Sequence, residues 1–432
     1  MSGARRAWTV VTIDTDGADD YEGNIDINPY LLTSLLFFFV AILVAIDASL
    51  TNLEILPWFN GLRWLRVHFV TLGIVTETLF GFLPLLVARR AGRPQPAARL
   101  DIWLMLTAGI VLLVAGIPPV NQALIFTGGS LVFLATSLLL HQLWQLRRTT
   151  STPAQDLSHL GRRFYIAGLS YFLLGIIIGT GLWLGWNDVL QMKAPIEVHI
   201  HANSWGFLSL VFAGLILDQY RGFAGRDLAW PASIPWIFWL MSLGALGLVL
   251  GPWFALTALT APGMIMHLSA TIWLLLNLWL PLRRDRVGWT PGLAHIFAAY
   301  LWIVAPLLFA PFIILGIEGF PVAAVEGNAP QALIYGWALQ LAFALAPYLY
   351  GRYLVAAETP RLGGTWFSVL AVNLGSLLLF AGIFIEPQRP ILHAAAYLAW
   401  AASAGPILAD LWRITKGDQA GQDSGSAGSI GD

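Results

Sequence analysis

Cysteine is absent from all 432 residues, which excludes disulfides, thiolate-held iron–sulfur clusters and covalently attached c-type haem. Any metal or haem would therefore be held non-covalently, with histidine as the obvious ligand. Charge is also scarce: Asp, Glu, Lys and Arg make up 11% of the chain, and the net charge is −1. With no basic cluster, nucleic acid is excluded as a partner. The polar, acidic stretch from Thr12 to Asp26 has no apolar core of the kind a secretory leader needs, so no cleaved signal is expected. Short alternating strands are missing too, which argues against a membrane β-barrel.

What the chain does have is apolar length. It is 57% hydrophobic with a mean hydropathy of +0.71, well outside the range of soluble domains. Apolar runs of about 18 to 25 residues recur throughout, each long enough to cross a hydrocarbon core of about 30 Å. These predict an all-α, polytopic protein with the lipid bilayer as its solvent. Twelve spans are expected: Pro29 to Ala48, Trp64 to Ala88, Asp101 to Ile117, Asn121 to Trp144, Phe164 to Trp186 and Val198 to Gln219, then Pro231 to Leu250, Ala258 to Leu280, Gly292 to Leu315, Ala329 to Leu349, Trp366 to Ile385 and Ile391 to Leu411. With this count, nineteen Lys and Arg fall on one side and four on the other, namely Arg63, Arg66, Lys193 and Arg389. The positive-inside rule then predicts an inner (cytoplasmic) membrane protein with both termini cytoplasmic. Residues 1–28 and 416–432 read as disordered cytoplasmic tails flanking a transmembrane domain at 29–415.

Three spans resemble one another. The second reads RVHFVTLGIVTETLFG, the sixth HIHANSWGFLSLVFAG and the tenth QALIYGWALQLAFALA. In each a polar residue precedes a glycine by five positions: His68 and Gly73, His201 and Gly206, Gln331 and Gly336. The copies lie 133 and 130 residues apart, which predicts three quasi-repeated four-helix arcs at about 29–147, 162–284 and 292–413. Taken alone, the glycines are equally compatible with simple helix packing.

On this topology His68, His199, His201, His267 and His393 share one layer near the outer face. Such a layer suits a buried haem or metal centre, because imidazoles must then arrive from several helices at one height. His199 and His201 are two residues apart, about 200° around a helix, and cannot both face one centre. His201 is preferred as the ligand because it matches the repeat, and His199 is assigned to the interface. A metal is expected at His201, His267 and His199, and a cofactor at His68, His201, His267 and His393. Arg63 and Arg66, just outside His68, suit either haem propionates or lipid headgroups. Glu77 suits a proton path or a hydrogen bond to a neighbouring helix.

Twelve spans with both ends inside, three four-helix arcs and the approach LRWLRVHFVTLG resemble the main subunit (subunit I) of haem-copper oxidases, most nearly the cbb-type oxidases and nitric oxide reductases. The stretch from Phe164 to Asp218 also looks like the first two spans of those proteins. The resemblance implies b-type haem (heme b) with copper or iron, His68 as a low-spin haem ligand and His201 at the copper-ligand position. It further implies an oxidoreductase or a protein of electron transport that handles oxygen or nitric oxide, served by a periplasmic electron donor or a cytochrome partner subunit. Histidine followed by Gly-Phe, as in His199 to Phe207, is similar to a second group, the twelve-span haem- and copper-containing proteins of the nitric oxide response. The chain departs from the oxidases in having no histidine on its seventh or tenth span, so His267 and His393 are expected to supply replacement ligands. Two other readings stay open: a transporter or channel whose polar route uses the histidines, Glu77, Asn203, Gln331 and Asn373, and a scaffold subunit without cofactor.

Overall fold

A computed structural model describes residues 28–56, 62–146, 160–355, 357 and 359–416. Both terminal tails expected from the sequence, and His159, lie outside the described residues, apart from Asn28 and Lys416. The described residues are helical with no strand. Eleven helices are long and apolar enough to cross a membrane: α1 Pro29–Asn52, α2 Trp64–Arg90, α4 Gln122–Gln145, α5 Gly161–Leu184, α6 Pro195–Ala224, α7 Pro231–Phe254, α8 Thr257–Arg284, α9 Pro291–Ile314, α10 Val322–Tyr353, α11 Trp366–Phe384 and α12 Glu386–Thr415. The apolar helix α3, Leu100–Gly116, has 17 residues and is shorter, about 25 Å at 1.5 Å per residue.

Local chemistry sets the helix ends. Asn28 accepts from the Tyr30 amide and is followed by Pro29, Asn121 caps α4, and Thr365 and Ser368 form a reciprocal capping box before α11. Gly225, at φ 64°, closes α6 in the left-handed conformation that glycine adopts without strain.

Because lipid tails are as apolar as leucine, helices in a bilayer associate through close packing at small residues. The α7/α8 hairpin meets at Gly244, Gly247 and Gly263, where a Cβ on Gly244 would stand 2.9 Å from the Gly263 carbonyl. Gly109 of α3 approaches Gly128 of α4 in the same way, and Gly375 of α11 lies under Trp400 of α12. Around the rim, α4 packs on α5, α8 on α9, and α12 on α1.

Three helices sit inside this rim. Buried residues make up 83% of the membrane-length window of α2, 83% of α6 and 89% of α10, against 25–50% for the other long helices. The three touch pairwise. His68 of α2 faces His199 of α6, Phe212 of α6 meets Trp337 of α10, and Tyr335 of α10 donates to the Arg66 carbonyl of α2.

Each inner helix also widens into π-helical turns, at Phe69–Thr76, Ala202–Leu208 and Ile334–Leu339. A π turn disturbs the i→i−4 ladder, and carbonyls freed at membrane depth need other donors. Ser34 donates to Ile74 O (2.9 Å), Thr76 to Thr71 O (2.8 Å) and Gln340 to Gly336 O (2.7 Å). In each widened stretch a glycine receives an aromatic ring from the preceding helix. Phe37 of α1 lies on Gly73, Tyr171 of α5 on Gly206, and Trp302 of α9 on Gly336.

Candidate functional site

A cavity of about 630 Å³ lies between α2, α3, α4, α5, α6 and the start of α10, a size typical of cofactor pockets. His68 and His199 both line it. Their ring centres are 6.2 Å apart and their planes are inclined by 25°.

Both rings are held from behind. The His68 Nδ1 lies 2.8 Å from the Trp64 carbonyl one turn back, and the Trp64 indole stacks on the imidazole at 4.0 Å. The His199 Nδ1 lies 3.0 Å from the Gly175 carbonyl of α5, and Asn203 donates to the His199 carbonyl at 2.8 Å. A carbonyl can only accept, so in the neutral rings each Nδ1 carries the proton and each Nε2 keeps its lone pair, with the Asn203 amide nitrogen also 3.2 Å from His199 Nδ1. Among the described residues neither Nε2 has a hydrogen-bond partner.

Space for the His199 ring comes from an absence of side chains on α5. A Cβ at Gly179 would stand 2.6 Å from His199 Cε1 and 2.9 Å from Nδ1, and one at Gly175 would strike the Asn203 amide. Sequence reasoning singled out neither glycine. The signal was there in the Gly175 and Gly179 spacing of four, a pattern that lets helices approach closely.

The other expected ligands go elsewhere. His201 turns its Nδ1 to the Leu248 carbonyl of α7 at 2.6 Å and does not line the cavity. His267 is fully buried with Nε2 3.2 Å from Trp205 O, a carbonyl of the α6 π turns, and Nδ1 3.4 Å from the Thr271 hydroxyl. His267 therefore serves α6 as Ser34 and Gln340 serve α2 and α10. His393 packs its ring against Gly382 of α11. Of the five histidines in the expected layer, one pair shares a cavity, and it is His68 with His199 where the sequence favoured His201.

Arg66 is buried and faces away from this cavity, its guanidinium 5.0 Å from the Tyr397 ring centre and Nη1 3.3 Å from Tyr397 Oη. Arg63 lies in the helical turn just before Trp64, and its side chain lies outside the described residues. No Lys or Arg lines the cavity among the described residues. On the opposite half of the molecule, His295 bonds Gln340 (3.2 Å) and Ser368 (2.8 Å), and Asn373 joins the same Gln340 oxygen at 2.8 Å. That buried network continues to Trp302, which donates to Asn373 at 2.8 Å, and to the Gly336 carbonyl, which accepts from Gln340.

The 6.2 Å between the His68 and His199 ring centres is close to the separation that two imidazoles on one metal would take. A metal–nitrogen bond of about 2 Å plus roughly 1 Å from nitrogen to ring centre, counted on both sides, places two axial imidazoles about 6 Å apart. Among the described residues no three His, Asp or Glu gather at one point. Two imidazoles alone suit an ion whose other positions are already filled, which is the situation of iron in a porphyrin. No protein-family model matches the chain, and no curated protein matches it.

Proposed function

We propose that the protein is an integral membrane haem protein in which His68 and His199, from two of the three central helices, hold b-type haem. The reading rests on one observation: two imidazoles with Nδ1 fixed on carbonyls and Nε2 unclaimed stand 6.2 Å apart in a cavity of about 630 Å³. Haem held there would supply one-electron chemistry or a binding position for a diatomic gas such as oxygen or nitric oxide. The chain's own part is to orient the rings and keep the surroundings apolar. Its plan is that of the haem-copper oxidase main subunit: twelve spans in three four-helix arcs, with both termini on the cytoplasmic side of the inner membrane. Support for the arcs comes from three features that recur together in α2, α6 and α10, namely the burial, the π turns, and the glycine under an aromatic ring. An electron donor or cytochrome subunit on the outer side is the partner this reading implies.

A pyridine haemochrome spectrum with metal analysis of the detergent-purified protein tests it. Haem at one per chain, lost in His68→Ala and His199→Ala and retained in His201→Ala, is the expected result. A colourless protein from haem-sufficient cells sinks the reading, and copper or iron without porphyrin replaces haem by a bare ion.

One observation favours a second reading, a polar transport route. Thr71, Asn187, Asn203, Ser204 and Gln331 line the same cavity. Solute uptake into proteoliposomes by the colourless protein would establish it.

A further inference from the structure

Glu77 stands midway along α2, thirteen residues from Trp64 and thirteen from Arg90, so about 20 Å of helix separates it from either end. It is fully buried. Thr107 of α3 donates to its Oε1 at 2.8 Å, while Oε2 is buried with no hydrogen-bond partner among the described residues. Tyr30 of α1 is the titratable group within electrostatic reach, and its hydroxyl is committed to the Arg99 carbonyl at 2.8 Å. From α3, α4 and α10, which also pack on this part of α2, no charged side chain acts on the carboxyl among the described residues.

The neighbours of Glu77 in sequence face two different spaces. Thr71 and Thr76 line the histidine cavity, and Thr76 Oγ1 donates to the Thr71 carbonyl. Thr78 is 2.7 Å from Ser34, and both line a second cavity of about 440 Å³ that runs to Asn28 and Thr415 at the opposite end of the molecule. Glu77 itself lines neither cavity, but the residues on either side of it line one each, Thr76 the first and Thr78 the second.

We propose that Glu77 is a proton-binding station: its carboxylate takes a proton from hydronium in the histidine cavity, releasing water, and returns it by the same route past the Thr76 hydroxyl. The ligand is a proton because a hard metal cation wants about six oxygens, and the site offers one carboxylate and one hydroxyl. A carboxyl at this depth with no cation beside it is costly to keep ionised, and such groups mark ion or proton pathways in membrane proteins. The inference stands whether or not the histidines hold haem.

Infrared spectroscopy of the purified full chain in lipid nanodiscs tests it. The wild type is expected to show the carbonyl stretch of a protonated carboxylic acid, shifted by deuterium oxide, absent in Glu77→Gln and displaced in Glu77→Asp. Thr76→Val, which keeps the side-chain shape, is expected to slow hydrogen–deuterium exchange of that band at least tenfold. Three results overturn the proposal: no acid band in the wild type at any pH, an unchanged band in both Glu77 variants, or loss of the band on adding sodium at constant pH, which would mark a cation site. Unaltered exchange in Thr76→Val overturns the route.

Discussion

Gly179→Ala should disturb the candidate site without touching a ligand. The new Cβ would sit 2.6 Å from His199 Cε1, whereas carbon atoms settle at about 3.5 to 4 Å, so the ring must retreat by about 1 Å. Its Nδ1 already lies 3.0 Å from the Gly175 carbonyl, and such bonds fade beyond about 3.2 Å, so that bond is lost. Overpacking of about 1–3 kcal/mol plus a hydrogen bond of about 1 kcal/mol predicts a loss of about 2–4 kcal/mol in unfolding free energy. If His199 is an axial ligand, haem content should fall as well, since displaced supporting contacts cost about 10- to 100-fold in metal affinity. Tryptophan fluorescence in mixed micelles reports stability, and the haemochrome assay reports cofactor. The decisive comparison is the double variant. With His199→Ala the ring is gone, so Gly179→Ala should then cost less than about 1 kcal/mol. Gly288→Ala, with nothing within 4 Å of the new Cβ, should stay within about 0.5 kcal/mol of wild type. An equal cost of Gly179→Ala in both backgrounds would show that the His199 ring is not what fills the space.

His267→Ala should lower stability by about 3 kcal/mol, from an unsatisfied buried Trp205 carbonyl and the cavity left behind, with haem content per folded chain unchanged; parallel loss of haem would make it a ligand after all. Gly206→Ala places a Cβ 2.5 Å from the Tyr171 ring, whose hydroxyl is tied to the Ser242 carbonyl at 2.7 Å, and should cost about 2–4 kcal/mol. Most of that cost should vanish beside Tyr171→Leu in a double-mutant cycle read by the same unfolding assay, and additive losses would contradict the packing.

The membrane spans were legible because bilayer thickness dictates helix length, so each helix but α3 declares itself by apolar run alone. The kinship of α2, α6 and α10 was legible in the polar residue five positions before a glycine, at His68, His201 and Gln331, whereas their burial and π turns were not. A common height for the histidines was what the twelve-span topology implied. It did not imply direction. His68 and His201 occupy matching positions in two similar stretches of sequence, and in any rotationally repeated fold matching positions face matching neighbours, each in its own group. The similarity of their spans is therefore no reason for His201 to face His68, and its ring turns to Leu248 of α7. The useful partner is the non-equivalent His199, and what selects it is the side-chain-free strip Gly175 and Gly179 on a different helix. His267 was unreadable for a related reason. Its partner is a carbonyl exposed by a π turn, and no side-chain pattern announces which carbonyl a widened helix will release.

The packing between α2 and α10 bears on where a cofactor can sit. The family resemblance expects histidines on the tenth span, and this chain has Gln331 and Tyr335 there. Tyr335 stacks on Trp400 of α12 with ring centres 4.0 Å apart and planes 7° from parallel, and Tyr397 of α12 donates to the Gln331 side chain. Arg66 closes the group by lying over Tyr397. Stacked rings and a buried guanidinium fill that space, whereas between α2 and α6 two imidazoles stand 6.2 Å apart and both line a cavity. The space beside α10 is thus filled by side chains, while His68 of α2 turns towards α6 and Gln331, bonded by Tyr397, forms part of the wall of the histidine cavity.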